Sequence, residues 1–130
     1  MAEDEIITQV VLPPLPPKSA IEYIRFSSSS VVDKPSAGVA VRLTLDKETV
    51  QVARIVLGCV GPTPLRASKA EALITGKKLT AEIIAEAGAM AAQECSPTSD
   101  LRGSEQYKRA IVRTLVRRAA DGAYKKAFSR

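Results

Sequence analysis

The sequence predicts an α+β fold in which an antiparallel sheet of three to four strands is covered by about three helices. β-branched runs fill the first half of the chain, helical periodicities fill the second half, and the change falls at a single Gly-Pro-Thr-Pro sequence, residues 61–64. A wound βαβ fold would interleave the two kinds of element, because parallel strands need crossover helices. We therefore expect one domain over residues 1–130, with strands at about 5–60 and helices at about 66–126.

The first predicted strand is EIITQVVL, residues 5–12, which is rich in β-branched side chains. The proline-rich run at residues 13–17 ends this strand and forms a stiff connector, because proline lacks the amide that a ladder needs. A second, short strand is predicted over residues 20–26. The apolar runs at residues 37–45 and 50–60 are predicted to form a hairpin, since only a turn-sized polar insert separates them.

The first predicted helix covers about residues 69–75. Ser68 and Glu71 have the spacing of a capping box, in which two side chains satisfy free amides at the helix start. Gly76 lies where a short helix needs a left-handed residue to end. These two end signals predict a helix of about two turns.

Two longer helices are predicted to follow. Thr80 is placed to cap a helix over residues 81–94, and Ser104 is placed to cap another over about residues 106–126. The last helix carries one stripe of residues at helical spacing, namely Tyr107, Ile111, Leu115 and Ala119. We expect this stripe to be buried when the helices cover the sheet.

The residue inventory excludes most familiar kinds of catalytic site. The chain has no His and only two cysteines, Cys59 and Cys95, so it cannot form a Ser-His or Cys-His catalytic pair or a His-based metal site. We expect both thiols to be reduced and buried. No apolar run is long enough to span a membrane. The acidic start, MAEDE, differs from a basic export signal, so we expect a cytoplasmic protein.

The net charge of +5 is concentrated near the C-terminus. Residues 101–130 carry nine Lys or Arg and two acidic residues. Arg109, Arg113 and Arg117 recur every four residues and therefore share one face of the last predicted helix. This face is either a solvated helix surface or a binding surface for an acidic protein. Nucleic acid is the least favoured partner, because the segment offers few aromatic side chains for base stacking.

Several short sequences, taken in order, resemble a known family over roughly residues 4–120. The matching pieces are Glu5-Ile6-Ile7-Thr8 through Leu12-Pro13, Tyr23-Ile24-Arg25-Phe26 with Asp33, Gly61-Pro62-Thr63-Pro64 with Arg66-Ala67, Glu71, Leu73 and Gly76, then Asp100-Leu101-Arg102-Gly103-Ser104, Tyr107-Lys108-Arg109 and Leu115-Val116-Arg117-Arg118-Ala119. With these pieces the chain resembles the C-terminal domain of the FAD-binding subunit of molybdenum hydroxylases. That family includes carbon monoxide dehydrogenase medium chains and xanthine dehydrogenase flavin domains.

The resemblance implies the same α+β sandwich and a place in electron transfer. In such enzymes electrons pass from a molybdenum centre through iron-sulfur clusters to FAD, which is bound mainly by an N-terminal region that this sequence lacks. The implied partners are that FAD-binding region, or a separate chain that carries it, and the iron-sulfur and molybdenum subunits. We therefore expect an accessory domain, without catalytic residues of its own, that covers the flavin site and contributes to subunit contacts.

Two positions are matched to flavin contacts by the resemblance alone. Arg25 falls where the family usually has a Lys near the isoalloxazine ring, and a cation there could stabilise the reduced, anionic flavin. Ile7 falls where the family places an apolar strand residue against the ring system. Ser29 stands where the family usually has an Arg, and this departure weakens the expected flavin contact. The alternative is a stand-alone, non-redox binding module that uses its basic last helix to hold an acidic protein or RNA.

Overall fold

The structure is a computed structural model that describes residues 3–27 and 34–130. In these ranges one antiparallel sheet contains four strands in sequential order: β1 (Ser19–Phe26), β2 (Ala37–Asp46), β3 (Thr49–Gly58) and β4 (Leu65–Arg66). Three helices follow: α1 (Ser68–Ile74), α2 (Ala81–Glu94) and α3 (Glu105–Phe128). The predicted fold class, an antiparallel sheet followed by a helical layer, is confirmed. None of the helices in the described ranges has the length and apolarity needed to cross a membrane.

The β2–β3 hairpin forms because a two-residue turn joins two long apolar strands. Asp46 pairs with Thr49 at the end of the ladder. Lys47, the first residue of the turn, has a φ of 53°, the left-handed conformation that a tight hairpin requires. The hairpin predicted from residues 37–45 and 50–60 is confirmed.

One face of the sheet lies under the helices and forms the core. Its side chains on β2 and β3 are almost fully buried: Val39, Val41, Leu43, Leu45, Val50, Ala53, Ile55 and Leu57. α3 packs on β1 and β2, α1 packs on β3, and α2 packs on the other two helices. Period-2 alternation along the strands therefore separates a covered face from an opposite face that the helices do not reach.

The start of α1 differs from the predicted capping box. Ala67 occupies the N-cap position, and its methyl side chain cannot accept the capping hydrogen bond. The carboxylate of Glu94, at the end of α2, instead accepts hydrogen bonds from the amides of Lys69 and Ala70 at 3.0 and 3.1 Å. Glu71 turns towards the sheet rather than back to its own helix start. A carboxylate from another helix thus replaces the local cap.

The other helix ends agree with the predictions. The Thr80 hydroxyl accepts a hydrogen bond from the amide of Ile83 at 3.3 Å, which caps α2. The Ser104 hydroxyl accepts one from the amide of Tyr107 at 3.1 Å, which caps α3. Gly76 follows α1 with a φ of 80°, a conformation that glycine adopts without a steric penalty.

One member of the predicted apolar stripe on α3 is not buried. Ile111, Leu115 and Ala119 are buried, whereas Tyr107 is 46% exposed. Tyr107 lies in the first turn of α3, beside the preceding loop. Its ring is so close to Gly103 that a Cβ added there would come within 2.5 Å of it. The ring therefore covers the loop rather than the sheet.

The prediction of a first strand at residues 5–12 is wrong. These residues belong to no helix or strand and are exposed throughout. β-branched side chains favour an extended backbone, but they form a strand only when a neighbouring strand pairs with them. The proline-rich run that follows separates this segment from β1, and no ladder in the described ranges includes it.

The two cysteines lie in different environments, so the prediction that both are buried is wrong for one of them. Cys95 is buried at the end of α2, and burial raises the pKa of its thiol. Cys59 is exposed in the turn after β3, and both thiols are free. Within residues 3–27 and 34–130, no three His, Cys, Asp or Glu side chains form a group that could hold a metal ion.

Candidate functional site

The sheet face opposite the helices is the candidate functional surface, and we call it the open face. It comprises alternate residues of the strands: Ile21, Tyr23 and Arg25 of β1, Gly38, Ala40, Arg42 and Thr44 of β2, Val52, Arg54, Val56 and Gly58 of β3, and Arg66 of β4. Ile21 is 49% exposed and Tyr23 is 61% exposed. Exposed apolar side chains surrounded by cations are typical of a docking surface.

Arginines make the open face basic. Arg42 and Arg54 lie directly opposite each other on β2 and β3, a placement of like charges that is unfavourable unless an anion lies nearby. The Nε of Arg42 is buried and has no hydrogen-bond partner in the described chain. The carboxylate of Glu71 forms an ion pair with Arg66 and lies 3.9 Å from the guanidinium of Arg54. The positive charge is therefore balanced at the β4 edge, whereas Arg42 has no such counterion among the described residues.

Glu71 links these arginines to the core. Its buried carboxylate accepts a hydrogen bond from the amide of Ile55 at 2.8 Å and two from the guanidinium of Arg66. Burial alone would raise the pKa of Glu71, but the hydrogen bonds from Arg66 and Ile55 and the charges of Arg66 and Arg54 outweigh it. The pKa of Glu71 is consequently lowered, and the carboxylate is ionised at neutral pH.

Arg25 lies at the end of β1, where the chain leaves the sheet. Its guanidinium is exposed and donates a hydrogen bond to the Ser27 hydroxyl at 3.0 Å. Across the sheet Arg25 pairs with Gly38, which in turn pairs with Gly58. Tyr23 lies over Gly38, where an added Cβ would be 3.2 Å from the tyrosine hydroxyl. Arg25 and the Tyr23 ring therefore lie next to a strip of backbone, at Gly38 and Gly58, that carries no side chains. This arrangement suits a planar, anionic group.

Ile7, the other position matched to a flavin contact by resemblance, does not lie on a strand of the open face. Ile7 is 70% exposed in the segment before β1 and belongs to no strand. The structure therefore does not bring Ile7 to the sheet that carries Arg25. Ser29 lies outside the described residues.

A pocket of about 180 Å³ opens beside the end of the sheet. Its walls come from the residues just before β2, the turn after β3, the loop between α2 and α3, and Lys108 in the first turn of α3. The pocket is lined by one carboxylate, Asp100, and by three cationic side chains, those of Lys34, Arg102 and Lys108. The exposed Cys59 also lines it.

Asp100 holds the α2–α3 loop in place beside this pocket. The nearly buried Lys108 places its Nζ 2.8 Å from Asp100 and donates to the Thr98 carbonyl at 2.7 Å. The amide of Arg102 donates to Asp100 at 2.8 Å, and the Ser36 hydroxyl donates to the Arg102 carbonyl at 3.4 Å. The hydrogen bond from Lys108, followed by that from Arg102, lowers the pKa of Asp100 to about 2. The loop is thereby fixed against the start of β2.

The predicted basic face of α3 is smaller than expected, because Arg109 is bound within the fold. Its guanidinium donates to the carbonyl oxygens of Ala92 and Cys95 at 2.7 and 2.6 Å. It also pairs with Glu105 at 2.8 Å. Arg109 therefore caps the C-terminal end of α2, where free carbonyl groups and the helix dipole attract a cation.

Arg113 and Arg117 remain on the exposed side of α3, and Arg118 lies beside them. No ion pair involving these three arginines occurs within the part of the chain that the structure describes. The stem of Arg117 packs over Gly88, where an added Cβ would be 2.9 Å from its Cγ and 2.7 Å from the Arg113 carbonyl oxygen. The two helices are thus in close contact, while the guanidinium groups face outward.

Sequence reasoning missed the grouping of Tyr23 with Gly38 and Gly58, and the opposition of Arg42 and Arg54. The polar residues Arg42, Thr44, Gln51 and Arg54, which fall among apolar positions of the two hairpin strands, by themselves predict only a partly solvated face. The pairing register could not be read from that pattern. Register depends on the bulge and the turn as well as on the alternation.

Comparison with known proteins identifies relatives that match most of the chain. The family described as CO dehydrogenase flavoprotein C-terminal domain matches residues 22–123. The carbon monoxide dehydrogenase medium chain of Hydrogenophaga pseudoflava is 31% identical over 124 residues, which cover 95% of this chain and 43% of the relative. The 6-hydroxypseudooxynicotine dehydrogenase complex subunit alpha of Paenarthrobacter nicotinovorans is 32% identical, with 95% of this chain and 42% of the relative covered. The chain thus spans about two-fifths of the length of the curated relatives it matches.

Solved structures share the same architecture. A carbon monoxide dehydrogenase from Hydrogenophaga pseudoflava, which lacks the Mo-pyranopterin moiety of the molybdenum cofactor, superposes with a TM-score of 0.83 and 35% identity over 88% of this chain and 39% of that chain. Quinoline 2-oxidoreductase from Pseudomonas putida 86 superposes with a TM-score of 0.80 over 86% of this chain and 39% of that chain. Its 23% identity supports a shared fold alone.

Proposed function

The chain belongs to the CO dehydrogenase flavoprotein C-terminal domain family, and we propose that it is the accessory domain that covers the flavin in the FAD-binding subunit of a molybdenum hydroxylase. The observation that carries this proposal is the open face, which is left uncovered by the helices and presents Arg25 and Tyr23 at one end. A domain whose role is to cover a partner needs such a face. The relatives that match are medium chains or related subunits of oxidoreductases.

The residues at the Arg25 end fit one edge of a flavin but not the whole cofactor. Gly38 and Gly58 provide a flat strip beside the Arg25 guanidinium, and the Tyr23 ring supplies an aromatic wall. FAD, when bound, supplies redox chemistry through its isoalloxazine ring. Its diphosphate would be held by another region, as the resemblance implies. FAD in the parent complex therefore remains part of the proposal.

In this proposal Arg25 acts through its charge. A fixed cation near the ring stabilises the negative charge that reduction places there, because the site between two protein layers contains little water. Tyr23 and Ile21 exclude water from the contact by packing against the partner. Ile7 is proposed, by resemblance alone, to add an apolar contact to the same ring system.

The proposed partners are the FAD-binding region, whether in the same chain or a separate one, and the iron-sulfur and molybdenum subunits. The basic open face suits a docking surface that supplies carboxylates, because Arg42 and Arg54 lie side by side. The domain contributes to these subunit contacts and does not catalyse a reaction by itself. The substrate is determined by the molybdenum subunit.

The proposal is tested in a chimera in which this chain replaces the matching part of the Hydrogenophaga pseudoflava medium chain. We expect the purified chimera to retain FAD after desalting, and the chain alone to retain none. Arg25→Ala in the chimera is expected to lower the flavin reduction potential, because the cation that stabilises the reduced ring is lost. The same substitution is expected to increase the quenching of flavin fluorescence by iodide, because the ring is less well covered. Arg113→Ala, on the opposite side of the domain, is the matched control. A folded chimera without FAD would contradict the proposal.

A stand-alone binding module is the second candidate function. Arg113, Arg117 and Arg118 form no ion pair among the described residues, so they are available to an acidic protein or to RNA. Reversing the charge of Arg113 and Arg117 would then abolish partner binding, whereas Arg25→Ala would leave binding unchanged. A mobility shift with RNA that weakens as salt is raised would favour this function over the flavin role.

A further inference from the structure

We propose that the turn at residues 100–103, between α2 and α3, forms a docking site for a companion subunit together with the basic pocket beside it. We call these four residues the docking turn. Leu101, at the tip of the turn, enters an apolar hollow of the partner, and a carboxylate of the partner enters the pocket. The inference rests on the proposed function, because it specifies which surface of the accessory domain makes a subunit contact.

The first observation is the exposure of Leu101. This side chain is 106% exposed, so no other part of the described chain shields it from water. The next most exposed large hydrophobic side chain within residues 34–130, Phe128, is 58% exposed. A single exposed leucine is common on protein surfaces. Its meaning therefore depends on whether its position is fixed.

The second observation is that the docking turn is closed within the domain itself. The amide of Asp100 donates to the Gly103 carbonyl at 3.1 Å, and the amide of Gly103 donates to the Asp100 carbonyl at 3.0 Å. Leu101 and Arg102 therefore occupy the two corners of a tight turn. Gly103 has a φ of 138°, and the ring of Tyr107 leaves no space there for a Cβ.

The third observation is a buried lysine that holds this turn. Lys108 is 3% exposed, and its Nζ lies 2.8 Å from the Asp100 carboxylate and donates to the Thr98 carbonyl at 2.7 Å. A buried ammonium group is unfavourable unless it is paired, so these contacts are retained. The buried charge thus fixes the backbone on which Leu101 stands. A turn that is fixed in advance loses little conformational entropy when a partner binds.

The fourth observation is the charge of the adjoining pocket of about 180 Å³. Three cationic side chains, those of Lys34, Arg102 and Lys108, line it against the single carboxylate of Asp100, which leaves two positive charges in excess. Lys34 forms no ion pair within residues 3–27 and 34–130. Arg102 belongs to the docking turn and to the pocket, so the apolar tip and the basic hollow adjoin. A carboxylate complements such a pocket.

The partner is defined by these two features. It must offer an apolar hollow for Leu101 beside an Asp or Glu side chain that reaches the pocket. The docking turn joins two helices of the layer that covers one face of the sheet, whereas the proposed flavin contact lies on the open face. A partner on the open face therefore does not account for the exposed Leu101. We assign this site to one of the other subunits that the proposed function includes.

The test uses the chimera described above, co-expressed with the other chains of the Hydrogenophaga pseudoflava enzyme. Native mass spectrometry over a dilution series measures the dissociation constant of the complex. Leu101→Asp is expected to raise this constant at least about 30-fold, because a charge does not fit an apolar hollow. Phe128→Asp, at the far end of α3, is the matched control and should leave the constant unchanged. In the isolated chain Leu101→Asp should not alter the urea midpoint, because the side chain is exposed.

A second pair of variants tests the pocket. Lys34→Glu is expected to raise the dissociation constant about 10-fold and to weaken its dependence on salt, because the pocket no longer attracts a carboxylate. Lys77→Glu is the control of equal charge change. Lys77 is exposed beside the start of β3, at the end of the sheet away from the pocket.

The outcomes separate this inference from the proposed function, because assembly and FAD retention are measured on the same chimera. Complexes of the Leu101→Asp chimera that dissociate like the unchanged ones would overturn the docking site and leave the flavin role intact. A chimera that assembles through Leu101 and Lys34 but holds no FAD would support the docking site and contradict the proposed function. Loss of FAD on Leu101→Asp with unchanged assembly would assign the turn to the flavin-binding portion and overturn the choice of partner. An effect of Leu101→Asp without one of Lys34→Glu would overturn the partner carboxylate.

Discussion

The two faces of the sheet are built from alternate residues of the same strands but have opposite characters. The covered face carries only apolar residues on β2 and β3 under the helices, such as Val41 and Ile55, which are fully buried. Arg42, which follows Val41 in the chain, and Arg54, which precedes Ile55, lie on the open face instead. Neighbouring residues thus lie in different environments: one set is buried and stabilises the domain, and the other is at least partly exposed.

This difference means that the two faces contribute unequally to the stability of the fold. Burial of the covered face supplies the hydrophobic stabilisation, so substitutions there reduce the free energy of unfolding. Substitutions on the open face alter a surface that contributes less to folding, because its side chains are partly exposed in the isolated chain. The predictions below test this division, from the largest expected effect to the smallest.

The strongest test compares two neighbours on β3. Ile55→Ala is expected to reduce the free energy of unfolding by about 3–4 kcal/mol, because it leaves a cavity in the core. Val56→Ala, on the open face, is expected to cost about 1 kcal/mol or less. Urea denaturation of both variants measures the difference. Equal losses would contradict the division between the two faces.

The second test concerns Glu71, which links the two faces at the sheet edge. Glu71→Ala is expected to destabilise the protein by about 2 kcal/mol, since the buried amide of Ile55 loses its acceptor. Glu71→Gln keeps an oxygen for this amide and is expected to cost less. Urea denaturation again provides the measurement. A larger loss for Glu71→Gln than for Glu71→Ala would show that the acceptor is not what matters.

The third test probes the helix layer that covers one face. Gly88→Ala is expected to destabilise by about 1–2 kcal/mol, because the new methyl group would meet the Arg113 backbone at a distance below van der Waals contact. Gly122→Ala on α3 meets only the flexible Glu22 side chain and is expected to be neutral or stabilising by up to about 1 kcal/mol. Thermal denaturation compares the two. A stabilised Gly88→Ala variant would mean that the helices can move apart.

The smallest effect at neutral pH is expected at the end of the sheet, where Asp100 holds the α2–α3 loop. Its pKa is about 2 in the folded chain, below the ordinary value of about 4 for an unfolded Asp. The unfolded chain therefore binds the proton more readily. Stability due to this carboxylate is fully present above about pH 5 and is lost as the pH falls towards 2.

Asp100→Asn removes this part of the acid dependence. Urea denaturation of both proteins between pH 2 and 6 is expected to show a stability difference that shrinks as the pH falls. Glu71 titrates in both proteins, so its contribution cancels in the difference. A difference that stays constant with pH would mean that the Lys108 contact does not depend on the charge of Asp100.

Much of the fold could be predicted because its determinants are local. The hairpin at residues 46–49, the hydroxyl caps Thr80 and Ser104, and the left-handed Gly76 each depend on a few adjacent residues. The candidate site was less predictable. Arg25 was singled out only by family resemblance, and its position beside Gly38 depends on strand register.

By itself the sequence determined the α+β class, the order of β1 to β3 and of the three helices, and the alternation that produces two unlike faces, since period-2 and helical patterns are properties of neighbouring residues. Only the tertiary structure decided that Glu94 caps α1, that Arg109 caps α2, and that residues 5–12 pair with no strand of the described chain. These outcomes depend on contacts between residues distant in the sequence. A local pattern specifies what a segment can form, whereas packing decides which partner is within reach.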